Sequence, residues 1–166
     1  MSETTVMMSK KDFLEVCMGI EKLCADLYHH YSEIYEDIPE ASMLWKKTAL
    51  EEENHRRQFE LALRLVNETE FEVSKDGLKR AYSIQNKLLN LMEHIKDNKP
   101  DLLTAVTKAL EMESKLADLH VHTSLHFKDE SMQKLFNTLS EADRDHVTDM
   151  QRYRTILYLP LCEMAG

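Results

Sequence analysis

Two segments of this 166-residue chain repeat each other. The first reads Glu21-Lys-Leu-Cys-Ala-Asp-Leu-Tyr28, and the second reads Glu113-Ser-Lys-Leu-Ala-Asp-Leu-His120. Another pair follows at almost the same distance, because Glu52-Glu-Asn-His55 is matched 91 positions later by Asp143-Arg-Asp-His146. The order is therefore carboxylate, carboxylate-x-x-His, carboxylate, carboxylate-x-x-His. Four elements in one order at a nearly constant offset are not expected by chance.

The spacing inside each carboxylate-x-x-His motif brings both side chains to one face of a helix, because residues three apart are neighbours there. Single carboxylates from two helices, with carboxylate-x-x-His from two others, form the ligand set of dinuclear sites in four-helix bundles. Four carboxylates also balance the charge of two divalent cations. Oxygen ligands with two imidazoles suit iron, with manganese or zinc as alternatives. The predicted ligands of two Fe ions are Glu21, Glu52, His55, Glu113, Asp143 and His146.

Composition predicts an all-α protein. The chain has only three Gly and three Pro, and it is rich in the strong helix formers Leu, Ala, Glu and Lys. A formal charge of −9 argues against a nucleic-acid partner. The length fits one domain over residues 1–166, and no apolar run is long enough for a membrane span. Three cysteines without a Cys-x-x-Cys pair, and no signal peptide, predict a cytoplasmic protein.

Apolar periodicity predicts four bundle helices and one additional helix in the long connection between the two halves. Ser9 is expected to cap the first helix after a frayed tail at residues 1–8. Ser42 is expected to cap the second, residues 74–77 read as a turn, and Pro160 is expected to end the last helix. The predicted bounds are about 10–36, 42–67, 78–97 (the additional helix), 100–127 and 131–156.

Two further side chains occupy equivalent positions in the repeat. Tyr28 and His120 each follow a single ligand carboxylate by seven residues, which is two turns along the same helix face. From there they can hydrogen-bond to the ligands, and Tyr28 is the predicted catalytic side chain. A half-buried amphipathic side chain is the alternative for both. Asp149, one turn after His146, is a weaker candidate for orienting that imidazole.

These residues resemble the rubrerythrin-like branch of the ferritin-like superfamily. The matching features span about residues 10–156: Glu21 with Tyr28, Glu52-x-x-His55, Glu113 within Ala-Leu-Glu-Met-Glu, and a carboxylate-x-x-His146. The resemblance implies a ferritin-like antiparallel four-helix bundle with a long crossover. It also implies a non-haem di-iron centre that handles peroxide, dioxygen or Fe(II), and a homodimer.

Three features differ from that family. Asp143 stands where the family usually has Glu, and Leu116 stands where peroxidase-type rubrerythrins carry an extra Glu. The chain also lacks the Cys-x-x-Cys pairs of a rubredoxin domain. Turnover would therefore need a separate electron donor protein.

Three functions remain open from the sequence. The first is an oxidoreductase that reduces peroxide or dioxygen, or oxidises Fe(II). The second is a metal-binding or iron-handling protein without efficient turnover, which Leu116 and Asp143 favour. The third is a metal-free helical bundle that acts as an interaction protein through residues 78–97 or the apolar stretch 157–161.

Overall fold

The computed structural model describes residues 4–67 and 70–165, apart from the side chains of Glu70 and of residues 160–164. Over these residues the chain is mostly helical, with one small antiparallel sheet. In chain order the elements are β1 (Thr5–Ser9), α1 (Lys10–Ile34), α2 (Pro39–Leu65), β2 (Glu70–Ser74), α3 (Lys75–Asp97), α4 (Leu102–Ser124) and α5 (Glu130–Met164). The prediction of an all-α chain is thus correct except for two short strands.

The frayed N-terminal tail is a wrong prediction for residues 5–8, because these residues form β1. The strand pairs with β2 in a register that runs from Thr5 opposite Ser74 to Ser9 opposite Glu70. Val73 from β2 is buried in an apolar cluster, and the partly buried Val6 from β1 packs against that cluster. A five-residue strand is unstable alone, so β1 depends on a partner strand some sixty-five positions away.

The predicted cap of the first helix is confirmed, whereas the predicted cap of the second is wrong. The Ser9 side chain accepts a hydrogen bond from the Asp12 amide, which confirms the predicted cap of α1. Ser42 does not cap α2, which begins earlier with Pro39 in its first turn. Proline is favoured in the first turn of a helix because amide hydrogens there have no partner within the helix. The hydrogen that proline lacks would therefore not be bonded in any case. Ser42 instead donates to the Ser32 carbonyl.

Residues 74–77 form the start of α3 rather than a separate turn. Ser74 is the cap, and its hydroxyl oxygen accepts a hydrogen bond from the Gly77 amide at 2.9 Å. In the same way Asp101 caps α4 by accepting from the Thr104 amide. Both observed helices therefore lie within three residues of the predicted bounds.

The C-terminal helix is longer than predicted. Pro160 does not end it, since α5 continues to Met164. A proline in a helix removes one hydrogen bond and crowds the preceding turn, which weakens the helix without forbidding it. In the predicted apolar stretch, Leu157 packs on the core while Tyr158 and Leu159 are exposed; the side chain of Leu161 lies outside the described part.

The helices pack as two neighbouring pairs. Helix α1 lies along α2 and α4 lies along α5, and α3 packs against α1 and α4. The short connections within each pair make their helices antiparallel neighbours. No helix within the described residues is long and apolar enough to cross a membrane.

Two apolar clusters fill the interior. One includes Trp45, Tyr31 and Met150, and the other includes Phe59 and Phe136. On α2 and α5 the residues between these clusters are the two carboxylate-x-x-His motifs. The polar residues therefore occupy a layer between two closely packed apolar layers.

Candidate metal centre

The structure brings all six predicted ligand residues together. Helix α1 contributes Glu21, α4 contributes Glu113, and α2 and α5 each contribute a carboxylate and a histidine. The four carboxylate residues are 0% exposed and the two histidines are 4% exposed. Their roles as metal ligands stay predictions, but their convergence is a property of the fold.

The first group of potential ligands consists of Glu21, Glu52 and His55. His55 Nδ1 lies 3.1 Å from Glu52 Oε2 and 3.6 Å from Glu21 Oε2. One atom from each residue falls within 4.8 Å of the others. Three buried donors at this separation can surround one cation.

The second group consists of Glu52, Glu113, Asp143 and His146. His146 Nδ1 lies 2.9 Å from Glu52 Oε1 and 3.2 Å from Glu113 Oε2. Glu52 belongs to both groups and faces each with a different oxygen. A carboxylate placed in this way can bridge two metals, which in dinuclear sites lie about 3.5–4 Å apart.

The two residues at equivalent positions, Tyr28 and His120, both contact the ligand layer. The Tyr28 hydroxyl donates to Glu113 Oε1, and its ring stacks on Trp45 at 5.6 Å between centroids. His120 Nδ1 lies 2.6 Å from Asp143 Oδ2, and its Nε2 lies 3.3 Å from Glu21 Oε1. Both side chains are buried, so neither is the half-buried amphipathic residue of the alternative interpretation.

One residue of the site was missed from the sequence. Glu51 Oε2 lies 2.6 Å from His146 Nε2, the ring nitrogen that faces away from the buried carboxylates of Glu52 and Glu113. The weaker candidate, Asp149, pairs with Lys47 at 3.1 Å instead. Glu51 belongs to the charged run Glu51–Arg57, and such a run usually marks a solvated helix face. Its position one turn before His55 was the only available signal.

The buried carboxyl groups differ in their affinity for protons. Burial and the negative charge of Glu52 raise the pKa of Glu21 to about 7. Burial also raises the pKa of Glu113. Burial alone would raise the pKa of Glu52 as well, but the neighbouring imidazoles and the Glu21 carboxyl lower it overall. Without metal, the site therefore holds both ionised and protonated carboxyls.

The imidazoles carry compensating positive charge in the metal-free protein. Burial by itself would lower the pKa of His55, but its contacts with the Glu21 and Glu52 carboxylates raise it to about 11. The pKa values of His146 and His120 are raised against burial in the same way by adjacent carboxylates. The metal-free site therefore neutralises its carboxylates with protons on histidine.

Several buried oxygens in the site remain without a hydrogen bond. Among the described residues, both oxygens of Glu21, Oε1 of Glu52 and Oδ1 of Asp143 have no hydrogen-bond partner, although imidazole nitrogens approach two of these carboxylates as ion pairs. A buried polar atom with no partner at all costs about 1–3 kcal/mol, and the ion pairs reduce this cost for the oxygens of Glu21 and Glu52. Coordination to a cation would satisfy these oxygens, so the donor set fits two metal ions.

Comparisons with models of known protein families, with curated proteins and with solved structures found no match for this chain.

Proposed function

We propose that this chain is a dinuclear non-haem metal protein with a ferritin-like fold. In this proposal α1, α2, α4 and α5 form the four-helix bundle, and β2 and α3 lie in the crossover between its halves. The two metals are iron ions, and the protein is an oxidoreductase of the rubrerythrin-like kind. It would reduce peroxide or dioxygen, or oxidise Fe(II), with a separate protein as the electron donor.

The observation that carries the proposal is the pair of buried ligand groups that share Glu52. Burying four carboxylates in an apolar interior is unfavourable unless counter-charges and hydrogen bonds are supplied. Two divalent cations would balance these four groups, with neutral His55 and His146 completing the coordination. The unsatisfied oxygens of Glu21 and Asp143 support the same assignment.

Iron would supply the ability to exchange single electrons with peroxide or dioxygen, and the side chains would arrange the site around it. Tyr28 fixes the orientation of Glu113 through its hydroxyl, whose pKa is raised well above its usual value by burial and by the charge of Glu113. The hydroxyl therefore stays protonated and keeps donating. His120 orients Asp143 from the other side of the layer.

A second function, metal binding or iron handling without efficient turnover, is favoured by two features. Leu116 is fully buried and apolar at the position where a peroxidase-type site would need another carboxylate. The Asp143 side chain is one methylene shorter than Glu, and one of its oxygens is already engaged by His120. Both features reduce the number of ligand atoms available for exchange during a redox cycle.

The first test is the metal content of protein purified without oxygen from iron-supplemented cells. We expect about two iron atoms per chain, in keeping with the two-metal inventory of such bundles. Glu52→Gln should lose iron from both positions, because Glu52 belongs to both ligand groups. Glu53→Gln is the matched control, since Glu53 is the next residue on α2 and pairs with His29 on the surface. Iron-free protein after reconstitution with Fe(II) would refute the proposal.

Peroxide consumption separates the two functions. An oxidoreductase loaded with Fe(II) should consume peroxide faster than the same concentration of free iron, over many turnovers when a reductant is supplied. An iron-handling protein should oxidise its bound Fe(II) once and then stop. The iron content would be the same in both cases.

A further inference from the structure

The ligand layer opens to solvent between α2 and α5. These two helices contact each other at few points, and a cavity of about 180 Å³ lies between them. Equivalent residues of the repeat line it from both helices: His55 stacks on His146 with 5.8 Å between the ring centroids, and Asn54 and Asp145 also border the cavity. Position 142, which corresponds to Glu51, is alanine. Both residues line the cavity, and the small side chain of Ala142 fills less of it than a glutamate would.

The exposure of the ligand residues points to the same opening. Glu21, Glu52, Glu113 and Asp143 are 0% exposed, whereas His55 and His146 each retain 4%. Both histidines line the cavity. Elsewhere the layer is covered by fully buried aromatic side chains such as Tyr28, Trp45 and Phe59. Of the six predicted ligands, only the two imidazoles therefore border the route from solvent.

At its solvent-facing rim, outside the two imidazoles, the opening carries a net negative charge. Glu51, Asp145 and Asp149 contribute three carboxylates, and Lys47 contributes one ammonium group. Lys47 Nζ lies 3.1 Å from Asp149 Oδ2 and 3.9 Å from Glu51 Oε1. A rim of one charge sign concentrates ions of the opposite sign and increases their rate of association.

Glu51 connects this rim to the buried layer. Its side chain is 41% exposed, yet its Oε2 lies 2.6 Å from Nε2 of His146, whose side chain is only 3% exposed. One carboxylate can therefore meet a hydrated cation at the surface and contact a predicted ligand inside.

We propose that the opening between α2 and α5 is the route by which divalent cations reach the metal centre, and that Glu51 is their first carboxylate contact. The inference rests on the proposed dinuclear site and adds the path and the residue that control its loading. Lys47 acts against uptake by neutralising part of the rim. For a cation to pass, the Glu51 carboxylate must release Nε2 of His146. Nδ1 of that ring then remains directed at the buried ligand carboxylates.

The test is the rate of Co(II) uptake by the metal-free chain of residues 1–166, followed by the visible absorption of bound cobalt in a stopped-flow instrument. At low ionic strength, Glu51→Gln should lower the second-order rate constant about threefold to tenfold, and Lys47→Gln should raise it, as expected for electrostatic steering. Glu53→Gln removes the same charge from the same helix and is 33% exposed, but it does not line the opening. Its rate should match the wild type.

A blocking variant tests the path independently of charge. Ala142→Leu should fill part of the cavity that Ala142 lines and slow uptake at every salt concentration. The effects of the charge variants should instead shrink as salt screens them. Equal rates for wild type, Glu51→Gln and Ala142→Leu would overturn the proposed route while leaving the metal centre intact. An unchanged rate with weaker final binding in Glu51→Gln would make Glu51 an orienting group only. Absence of cobalt binding in the wild type would refute the dinuclear site itself, and the route with it.

Discussion

Metal binding should release protons, because the metal-free site neutralises its carboxylates with protonated side chains. The pKa of His55 is about 11 and that of His146 is raised further, so both rings carry an extra proton at pH 7. Glu21, with a pKa of about 7, is half protonated at that pH. A ligand nitrogen or carboxylate must lose its proton to bind a cation. Loading two metals should therefore release about two to three protons per chain.

The sign of the pH dependence follows from this release. As pH rises, fewer protons must be displaced and binding becomes tighter. Each released proton changes the binding free energy by about 1.4 kcal/mol per pH unit. Two to three protons thus correspond to about 3–4 kcal/mol per pH unit, summed over both metals.

Isothermal titration calorimetry with Mn(II) measures the release directly, if the titration is repeated in buffers that differ in ionisation enthalpy. His29→Asn is the matched control, because His29 pairs with Glu53 at the surface, away from the ligand layer. It should release the same number of protons as the wild type. Release of fewer than one proton per chain near pH 7 would refute the reasoning, since the imidazoles would then be neutral before metal arrives.

Three further predictions concern the stability of the metal-free protein. Tyr28→Phe leaves Glu113 Oε1 buried without its donor and should lower the free energy of unfolding by about 1–3 kcal/mol in urea titrations; an unchanged midpoint would show that this hydrogen bond is dispensable. Trp45→Ala empties a fully buried position between Tyr28 and Tyr31 and should cost about 3–5 kcal/mol, whereas Leu50→Ala on the exposed face should change little. Stability should also fall as pH rises from 7 to 9. The protonated His55 ring contributes fully to the free energy of unfolding below its unfolded pKa of about 6.5, and this contribution is lost as pH rises toward its folded pKa. The loss is about 1.4 kcal/mol per pH unit for each proton held only by the folded state. Bound metal should reverse this trend, and a metal-free stability that increases with pH would contradict the assigned charge of the imidazoles.

The residues of the buried carboxylate and histidine cluster were predictable because the information is local and repeated. A carboxylate and a histidine three positions apart share a helix face wherever the helix lies, so Glu52 with His55 and Asp143 with His146 needed no knowledge of packing. The same argument placed Tyr28 and His120 two turns beyond the single carboxylates. The repeat then required that the two halves meet at one level, and in the structure they do.

The remaining features depend on contacts between distant segments. The strand β1 exists through pairing with β2, and neither segment has a strong strand pattern alone. In the sequence Glu51 is one more member of a charged run, and only the packing of α5 beside α2 brings it to His146. Pro160 is a strong local signal against a helix, yet α5 continues through it.

Local periodicity, helix capping and the repeated ligand motif follow from the sequence alone, because each depends on neighbours within a few positions. The sequence by itself therefore determined the helical class, the approximate extent of most helices and the six residues that meet in the core. Strand pairing, the opening between α2 and α5, and the proton balance of the site were decided only by the tertiary structure. Each of these depends on which side chains from distant segments are brought within a few ångströms and removed from water.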